Sequence, residues 1–377
     1  MKLKLKNTPE QVELVKALGS KDATVAREAQ EAFAAFIGPV IQKVIKQSAT
    51  AGAIYTDVTY DEDDNPSYPL DLYYDQSAGH VTVWSQSMAG GLPTSLTEGV
   101  KELKISTYRL DAAVYLFKKY ALRSRLDVVS KALERMAQEV LLKQERNAWA
   151  VILKALANSN SSNSTAANTG HVMATNEESV FSVADISRLM TMMKRISASF
   201  ANGTADPSDS FGLTDLYVSP EVLEQVRSFA YNPLNTRNTS NGVMGLPDAV
   251  REDVWRGAGM SEIYGVTIHD LVELGISKKY NDLFGTFAQN GIAHTGSTVI
   301  GAQSTNFATA ADEILIGVDA SKEAFIRPIA QNADSGATFT AQPDDQFAQR
   351  SDKVGFYGSL EEGRVCIDAR AVAGLVM

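Results

Sequence analysis

Cysteine is nearly absent. The 377 residues include one, Cys366. A lone thiol closes no internal disulfide, so folding requires no oxidising compartment. Histidine is scarce as well: His80, His171, His269 and His294 are the only four, and none stands in the H-x-x-x-H spacing of a zinc site. No run approaches the roughly 20 consecutive apolar residues that a membrane helix needs. The opening Met1-Lys2-Leu3-Lys4-Leu5-Lys6 alternates charge and hydrophobe, without the apolar core of a signal peptide. These absences point to a soluble protein made in a cytoplasm, where the sequons at Asn160, Asn163, Asn202 and Asn238 are chance matches. A basic excess is missing too. The formal net charge of −10 argues against a dedicated nucleic-acid binder, although local basic patches are compatible with it.

Catalytic signatures are also lacking. The sequence contains no G-x-S-x-G elbow, no G-x-x-x-x-G-K-[ST] phosphate loop and no G-x-G-x-x-G after a strand. What is present is an ordinary packed-globule composition, 44% hydrophobic and 21% charged. The length calls for two subdomains around a shared core, or two separate domains.

The chain opens helically. Thr8-Pro9-Glu10-Gln11 reads as an N-cap, a proline at the first helical position and a capping-box glutamine. A second helical stripe follows at Val25, Ala29, Phe33, Phe36, Val40 and Val44, with Gly38-Pro39 expected to kink or break it. Residues 54–117 switch to β character. Ile54–Tyr60 alternates, an acidic turn Asp61-Glu62-Asp63-Asp64-Asn65-Pro66 interrupts, and Val81-Thr82-Val83-Trp84 is a further strand. Alternation returns over Leu103–Leu116. Residues 81–108 read as a long two-stranded excursion around the glycine-rich Met88–Pro93. A lone hairpin of this kind is marginal in water and needs a partner surface.

Residues 127–157 carry the clearest helical stripe, including Val129, Leu133, Met136, Val140, Ala148, Ile152 and Leu156. A mixed α and β region follows. Its helix over Ile186–Ile196 opens on Ser182-Val183-Ala184-Asp185, Leu216–Val218 is a strand, and Ser219-Pro220 starts another helix. Further strands are expected at Tyr264–Ile268, Ile314–Val318, Ala324–Arg327, Lys353–Tyr357 and Arg364–Asp368, the last of these closing the chain.

Several groups invite a chemical reading, and each has a plainer one. The acidic run resembles the start of a calcium loop, but Pro66 and Leu72 occupy the positions that require glycine and an acid, so a solvated turn fits better. Cys366 reads as a small hydrophobe within a strand. The dispersed Trp84, Trp149 and Trp255 suit packing rather than a ligand cage. Lys118-Lys119 and Arg123-Ser124-Arg125 suit a solvated face paired with Asp111 and Asp127, with a phosphate contact as the sharper alternative.

The order of these segments resembles the major capsid proteins of tailed bacteriophages, which have the Hong Kong 97-type fold. Leu110–Leu116 running through Ser124-Arg125 into the long helix looks like the return of an extended loop into a spine helix. Asp185–Met190 followed by Asp215–Pro220 is similar to the passage from peripheral to axial domain. Ile263-Tyr264-Gly265-Val266-Thr267-Ile268 resembles an axial strand in which Thr267 replaces the usual proline. Arg350–Gly358 through Val365–Val372 resembles the terminal strands. The N-terminal block of about 50 residues has no single counterpart, and 275–312 looks like an insertion.

The resemblance implies an α+β fold with an N-terminal helical arm (1–53), an extended β-loop region (54–117), a peripheral domain with the spine helix (118–214), an axial domain (215–335) and C-terminal strands returning to the peripheral domain (336–377). It implies a structural protein and not an enzyme, without cofactor or metal. Such a protein would assemble into hexamers and pentamers of an icosahedral virion shell around double-stranded DNA, in the host cytoplasm and away from membranes. Its partners would be other copies of itself, a portal, possible scaffolding or decoration proteins, and packaged DNA touched weakly and non-specifically. Expected intersubunit contacts are Trp84, Gln86, Met88, Leu92, Lys101, Glu102 and Lys104. The expected spine-helix core is Val129, Leu133, Met136, Val140 and Ile152. Two other readings stay open: an encapsulin-like compartment shell, distinguished by protein cargo instead of nucleic acid, and an α/β enzyme with an unrecognised site.

Overall fold

The computed structural model describes residues 8–20, 22–48, 50–61, 66–69, 102–123, 126–162, 171–175, 179–200, 212–231, 248–257, 262–288, 307, 309–321, 323–332, 338–344 and 353–377. The chain divides into two units. One comprises Met1–Tyr68, Lys104–Ala148 and Ile326–Val365; the other comprises Pro69–Leu103, Trp149–Phe325 and Cys366–Met377. Helices and sheets are mixed in both, as an α+β reading requires.

The first unit begins with helices α1 (Pro9–Leu18) and α2 (Ala23–Ser48). Thr8 is the N-cap of α1, with Pro9 following it, but its hydroxyl makes no capping bond. The Oε1 of Gln11 is buried without a partner, so the expected capping box is not formed. Helix α2 continues through Gly38-Pro39, where a kink or a break was expected, so the break does not occur. The proline removes one backbone bond, but Phe33 and Ile41, on either side, are buried at 2% and 0% exposure and hold both halves to the core. The apolar stripe is also rotated from the expected one. Ala26, Ala29, Phe33 and Ala34 face inward, whereas Val25 and Phe36 are exposed.

Strand β1 (Thr56–Asp61) runs parallel to the 326–331 portion of β10 (Phe325–Gln331). Short strands β2 (Ser67–Pro69) and β3 (Glu102–Lys104) pair with one another. The expected partner of the excursion's return, Val81–Trp84, lies outside the described residues. The return continues as β4 (Thr107–Phe117), which pairs antiparallel along all eleven of its residues with β12 (Lys353–Gly363). Strand β11 (Thr340–Asp344) pairs antiparallel with β12.

Strict alternation along β4 separates its two faces. Leu110, Ala112, Val114 and Leu116 pack inward. They meet the core formed by Val15, Phe33, Ile41, Val129, Leu133, Met136, Val140, Phe339, Val354 and Phe356. Phe33 and Phe356 pack with ring centroids 5.2 Å apart. A short helix α3 (Lys118–Leu122) follows β4 and leads into α4 (Leu126–Ser162), 37 residues long. At roughly 1.5 Å per residue this helix runs about 55 Å. Its residues 126–148 belong to the first unit and 149–162 to the second.

In the second unit the sheet order is β5 (Val172–Ala174), β14 (Val372–Val376), β9 (Ile314–Val318), β6 (Asp215–Val218), β8 (Val266–Asp270) and β7 (Glu262–Ile263). The last strand of the chain is thus β14, not Arg364–Asp368, of which only Val365–Cys366 forms the short strand β13. Tyr264–Ile268 is not one strand either. Tyr264 and Gly265 take φ of 55° and 79°. Two positive φ values in succession make the two-residue hairpin turn that matches strand twist, and this turn joins β7 to β8.

Helices α5 (Val183–Phe200), α6 (Pro220–Tyr231) and α7 (Asp248–Arg256) contribute to this unit's core, which centres on Ile186, Leu189, Met193, Leu216, Val218, Val222, Val226, Phe229, Val254 and Leu315. Helix α8 (Lys279–Ala288) follows β8. Two helix starts form as the sequence indicates. The backbone N–H of Ser182 donates to Asp185 Oδ2 at 3.0 Å. Ser219 Oγ accepts from the Val222 N–H at 3.1 Å. Among the described residues no helix is long and apolar enough to cross a membrane.

Candidate functional site

Of the residues expected at intersubunit contacts, Trp84, Gln86, Met88, Leu92 and Lys101 lie outside the described residues. Glu102 opens β3, and Lys104 ends it with an exposed side chain. On the long helix Val129, Leu133, Met136, Val140 and Ile152 are all buried, at 5% exposure or less.

The surface feature with the most distinct chemistry is the outer face of β4 and β12. The residues alternating with the inward row are Arg109, Asp111, Ala113, Tyr115 and Phe117. Tyr115 is 54% exposed and Phe117 44%. Register places Lys353 opposite Phe117. The Lys353 ammonium lies 4.3 Å from the centroid of Tyr115 and 5.6 Å from that of Phe117. Lys119, at the start of α3, stands 5.2 Å from the Phe117 centroid and 5.1 Å from that of Tyr120. Two cations and three rings thus form one continuous group in which Phe117 is shared.

Further along the same face, Arg109 Nε donates to Asp111 Oδ1 at 2.9 Å, and the Tyr357 hydroxyl donates to the same oxygen. The Tyr357 hydrogen bond and Arg109 hold the Asp111 carboxyl below the usual carboxylate range. Of the two acids expected to pair with the basic stretch 118–125, Asp111 is held by Arg109, two residues away on the same strand, and the side chain of Asp127 lies outside the described residues.

Beneath the other end of these strands lies a buried polar cluster that sequence reasoning did not single out. Glu362 is fully buried on the inner face. Its Oε1 accepts from the Tyr108 hydroxyl at 2.7 Å, and its Oε2 accepts from Gln144 Nε2 of α4 at 3.0 Å. Arg364 Nε lies 3.2 Å from Oε1, and Arg327 Nη1 lies 4.0 Å from Oε2. Arg327 also makes a two-pronged bond to Asp57 of β1, 2.7 Å on each side. One carboxylate therefore ties β4, β10, β12 and α4 together. Burial first, then the Glu362 charge, raises the Tyr108 phenol to about 12. The available signal was Glu361-Glu362-Gly363-Arg364: adjacent acids at the end of a strand place one on each face, and the inward one must find cations.

The second unit holds other titratable groups. His269 Nε2 donates to Asp215 Oδ1 at 2.7 Å, and the His269 ring stacks on Tyr217 at 4.9 Å. His171 is fully buried, with Nδ1 3.0 Å from the Val372 carbonyl. A carbonyl only accepts, so Nδ1 carries the proton. Burial pulls its pKa down. Glu313 is 2% exposed, and burial raises its carboxyl. Burial likewise pushes the Cys366 thiol above its usual range. Trp149 is fully buried against Tyr217, 4.8 Å between centroids, whereas Trp255 is 70% exposed. Among the described residues no group of three or more His, Cys, Asp and Glu could hold a metal ion. His80 and His294 lie outside the described residues.

No family model matches the chain, and no curated protein matches it significantly. Solved structures similar to it include three capsid or phage structures. The capsid of the cyanophage P-SCSP1u is 14% identical with a TM-score of 0.45, over 85% of this chain and 86% of that one. A structure described as Microbacterium phage Oxtober96 is 13% identical with a TM-score of 0.47, over 87% and 90%. The capsid of an empty GTA particle is 13% identical with a TM-score of 0.49, also over 87% and 90%.

Proposed function

We propose that this chain is a major capsid protein of the tailed-phage, Hong Kong 97-like type: a non-enzymatic structural protein that self-assembles into hexamers and pentamers of an icosahedral shell around double-stranded DNA. The observation that carries this reading is the order in which the chain lays down its parts. A helical block comes first, then a β segment, then an eleven-residue strand that runs through a short helix into a 37-residue helix. A second mixed unit follows, and the chain ends as a strand between β5 and β9. In this reading residues 118–214, with the spine helix, are the peripheral part, 215–335 the axial part, and 336–377 the strands that return to the peripheral part.

Surface chemistry supports assembly. Exposed aromatic side chains such as Tyr115, Phe117 and Trp255 belong to the residue types enriched at protein interfaces. The segment 81–108, with Trp84, Gln86, Met88, Leu92, Lys101, Glu102 and Lys104, is assigned to the contact with a neighbouring copy. A portal, scaffolding or decoration proteins and packaged DNA are the further partners of this role, DNA being held weakly and without sequence preference. Its location is the virion shell, assembled in the host cytoplasm.

Shortening the excursion tests this role. Replacing Gln86–Gly99 with an Asn-Gly turn is expected to leave the circular dichroism spectrum nearly unchanged while closed shells disappear from negative-stain micrographs. Normal shells from the shortened chain would remove the segment from the intersubunit contact. Outright unfolding would assign it to the subunit's own core.

A further inference from the structure

We infer that the cation–aromatic group on the outer face of β4 and β12 is a docking surface for a second copy of this chain, engaged through acidic side chains of that copy. This rests on the self-assembly reading and adds to it a specific surface.

Three observations converge. First, the face is built to be stable while exposed. Its inward partners Leu110, Ala112, Val114 and Leu116 anchor the strand in the core, so Tyr115 and Phe117 contribute little to their own subunit, at 54% and 44% exposure. Large rings held outward on a rigid strand lose little freedom when covered, which favours contact formation. Leu122, 50% exposed at the end of α3, adds apolar area next in sequence to the group.

Second, the cations are already positioned. Lys353 and Lys119 both lie within 6 Å of the Phe117 centroid, at 5.6 and 5.2 Å. Ring contacts restrict the two flexible stems, so docking an anion orders them less than it would free lysines.

Third, charge selects the occupant. The chain carries 45 acidic and 35 basic residues. A cationic patch is therefore a local exception, and a second copy supplies its complement. Two positive charges with three rings suit a protein interface with an aromatic centre and charged rim. A duplex groove binder would need a longer basic track.

The test uses the full chain with Lys119→Glu and Lys353→Glu together, and separately Tyr115→Ser with Phe117→Ser. Sedimentation and negative-stain microscopy report assembly, circular dichroism reports folding, and a gel shift with duplex DNA reports the competing partner. The expected result is a folded charge-reversed protein that needs at least tenfold higher concentration to assemble than the wild type, with the aromatic variant behaving alike. Because both lysines sit at the surface, a milder pair, Lys119→Gln with Lys353→Gln, keeps the test valid if the reversal perturbs folding; it should weaken assembly in the same direction. Assembly at wild-type concentrations by folded variants overturns the inference. So does unchanged assembly with lost DNA binding, which would assign the face to nucleic acid. A wild-type chain that never assembles would instead sink the self-assembly reading itself.

Discussion

The Tyr108 hydroxyl donates to Glu362 Oε1 at 2.7 Å, from a strand position directly opposite it. Glu362 is fully buried, so every donor it loses leaves a carboxylate oxygen without water to replace the bond. Tyr108→Phe is expected to cost about 1–3 kcal/mol of unfolding free energy in urea. An unchanged transition midpoint would show that Arg364 and Gln144 suffice.

The same pair predicts an alkaline response. The phenol titrates near 12 in the folded chain against 10.0 for an unperturbed tyrosine. Between those values the folded chain keeps a proton that the unfolded chain has released, so stability falls as pH rises from about 10 to about 12. Tyr108→Phe, which has no proton to lose, should flatten part of that decline. Identical slopes for the two proteins would rule out the linkage.

His171 responds at the other end of the scale. It is buried and neutral, with its pKa pulled below the ordinary 6.5 by burial. As pH falls through that ordinary value, the unfolded chain binds a proton that the folded chain resists, so stability drops. His171→Gln removes the titration. The variant is expected to be less stable at pH 7 but less acid-sensitive between pH 7 and 5 in thermal melts. A variant whose melting temperature falls with acid as steeply as the wild type would contradict this.

Close packing predicts two further sensitivities. A Cβ at Gly317 would meet Leu213 Cδ1 at 2.6 Å and Leu189 Cδ2 at 3.0 Å. Gly317→Ala should therefore destabilise by about 1–3 kcal/mol through overpacking. Met136, 5% exposed on α4, is the stronger case. A carboxylate there would be buried without a partner, and Met136→Asp is expected to give insoluble or unfolded chain. Normal solubility with an unchanged melt would place that helix face in solvent.

Legibility in the sequence followed the strength of local periodicity. The long helix was readable because polar and apolar residues separate cleanly over many turns, as at Val129, Leu133, Met136 and Val140. The starts at Ser182 and Ser219 were readable because capping is a local bond. Strand β14 was not, since all five of its residues are buried. A strand covered on both faces shows no alternation. The β7–β8 turn was hidden because Tyr264 carries a positive φ usually reserved for Asn or Gly. Helix α2 passed Gly38-Pro39 because tertiary burial of Phe33 and Ile41 outweighs a local breaker. In the proposed assembly surface, the alternation of Tyr115 and Phe117 was visible, but the lysines that complete it arrive from β12 and α3. For Glu362 only the neighbouring Arg364 was within local reach; its other partners, Tyr108, Gln144 and Arg327, come from three separated segments.

Self-assembly is the central claim, and microscopy of the purified wild-type chain, with light scattering on the same sample, tests it most directly. The account predicts pentamers, hexamers or closed shells at micromolar concentration. A sharp monomer peak across that range, with empty grids, would contradict it.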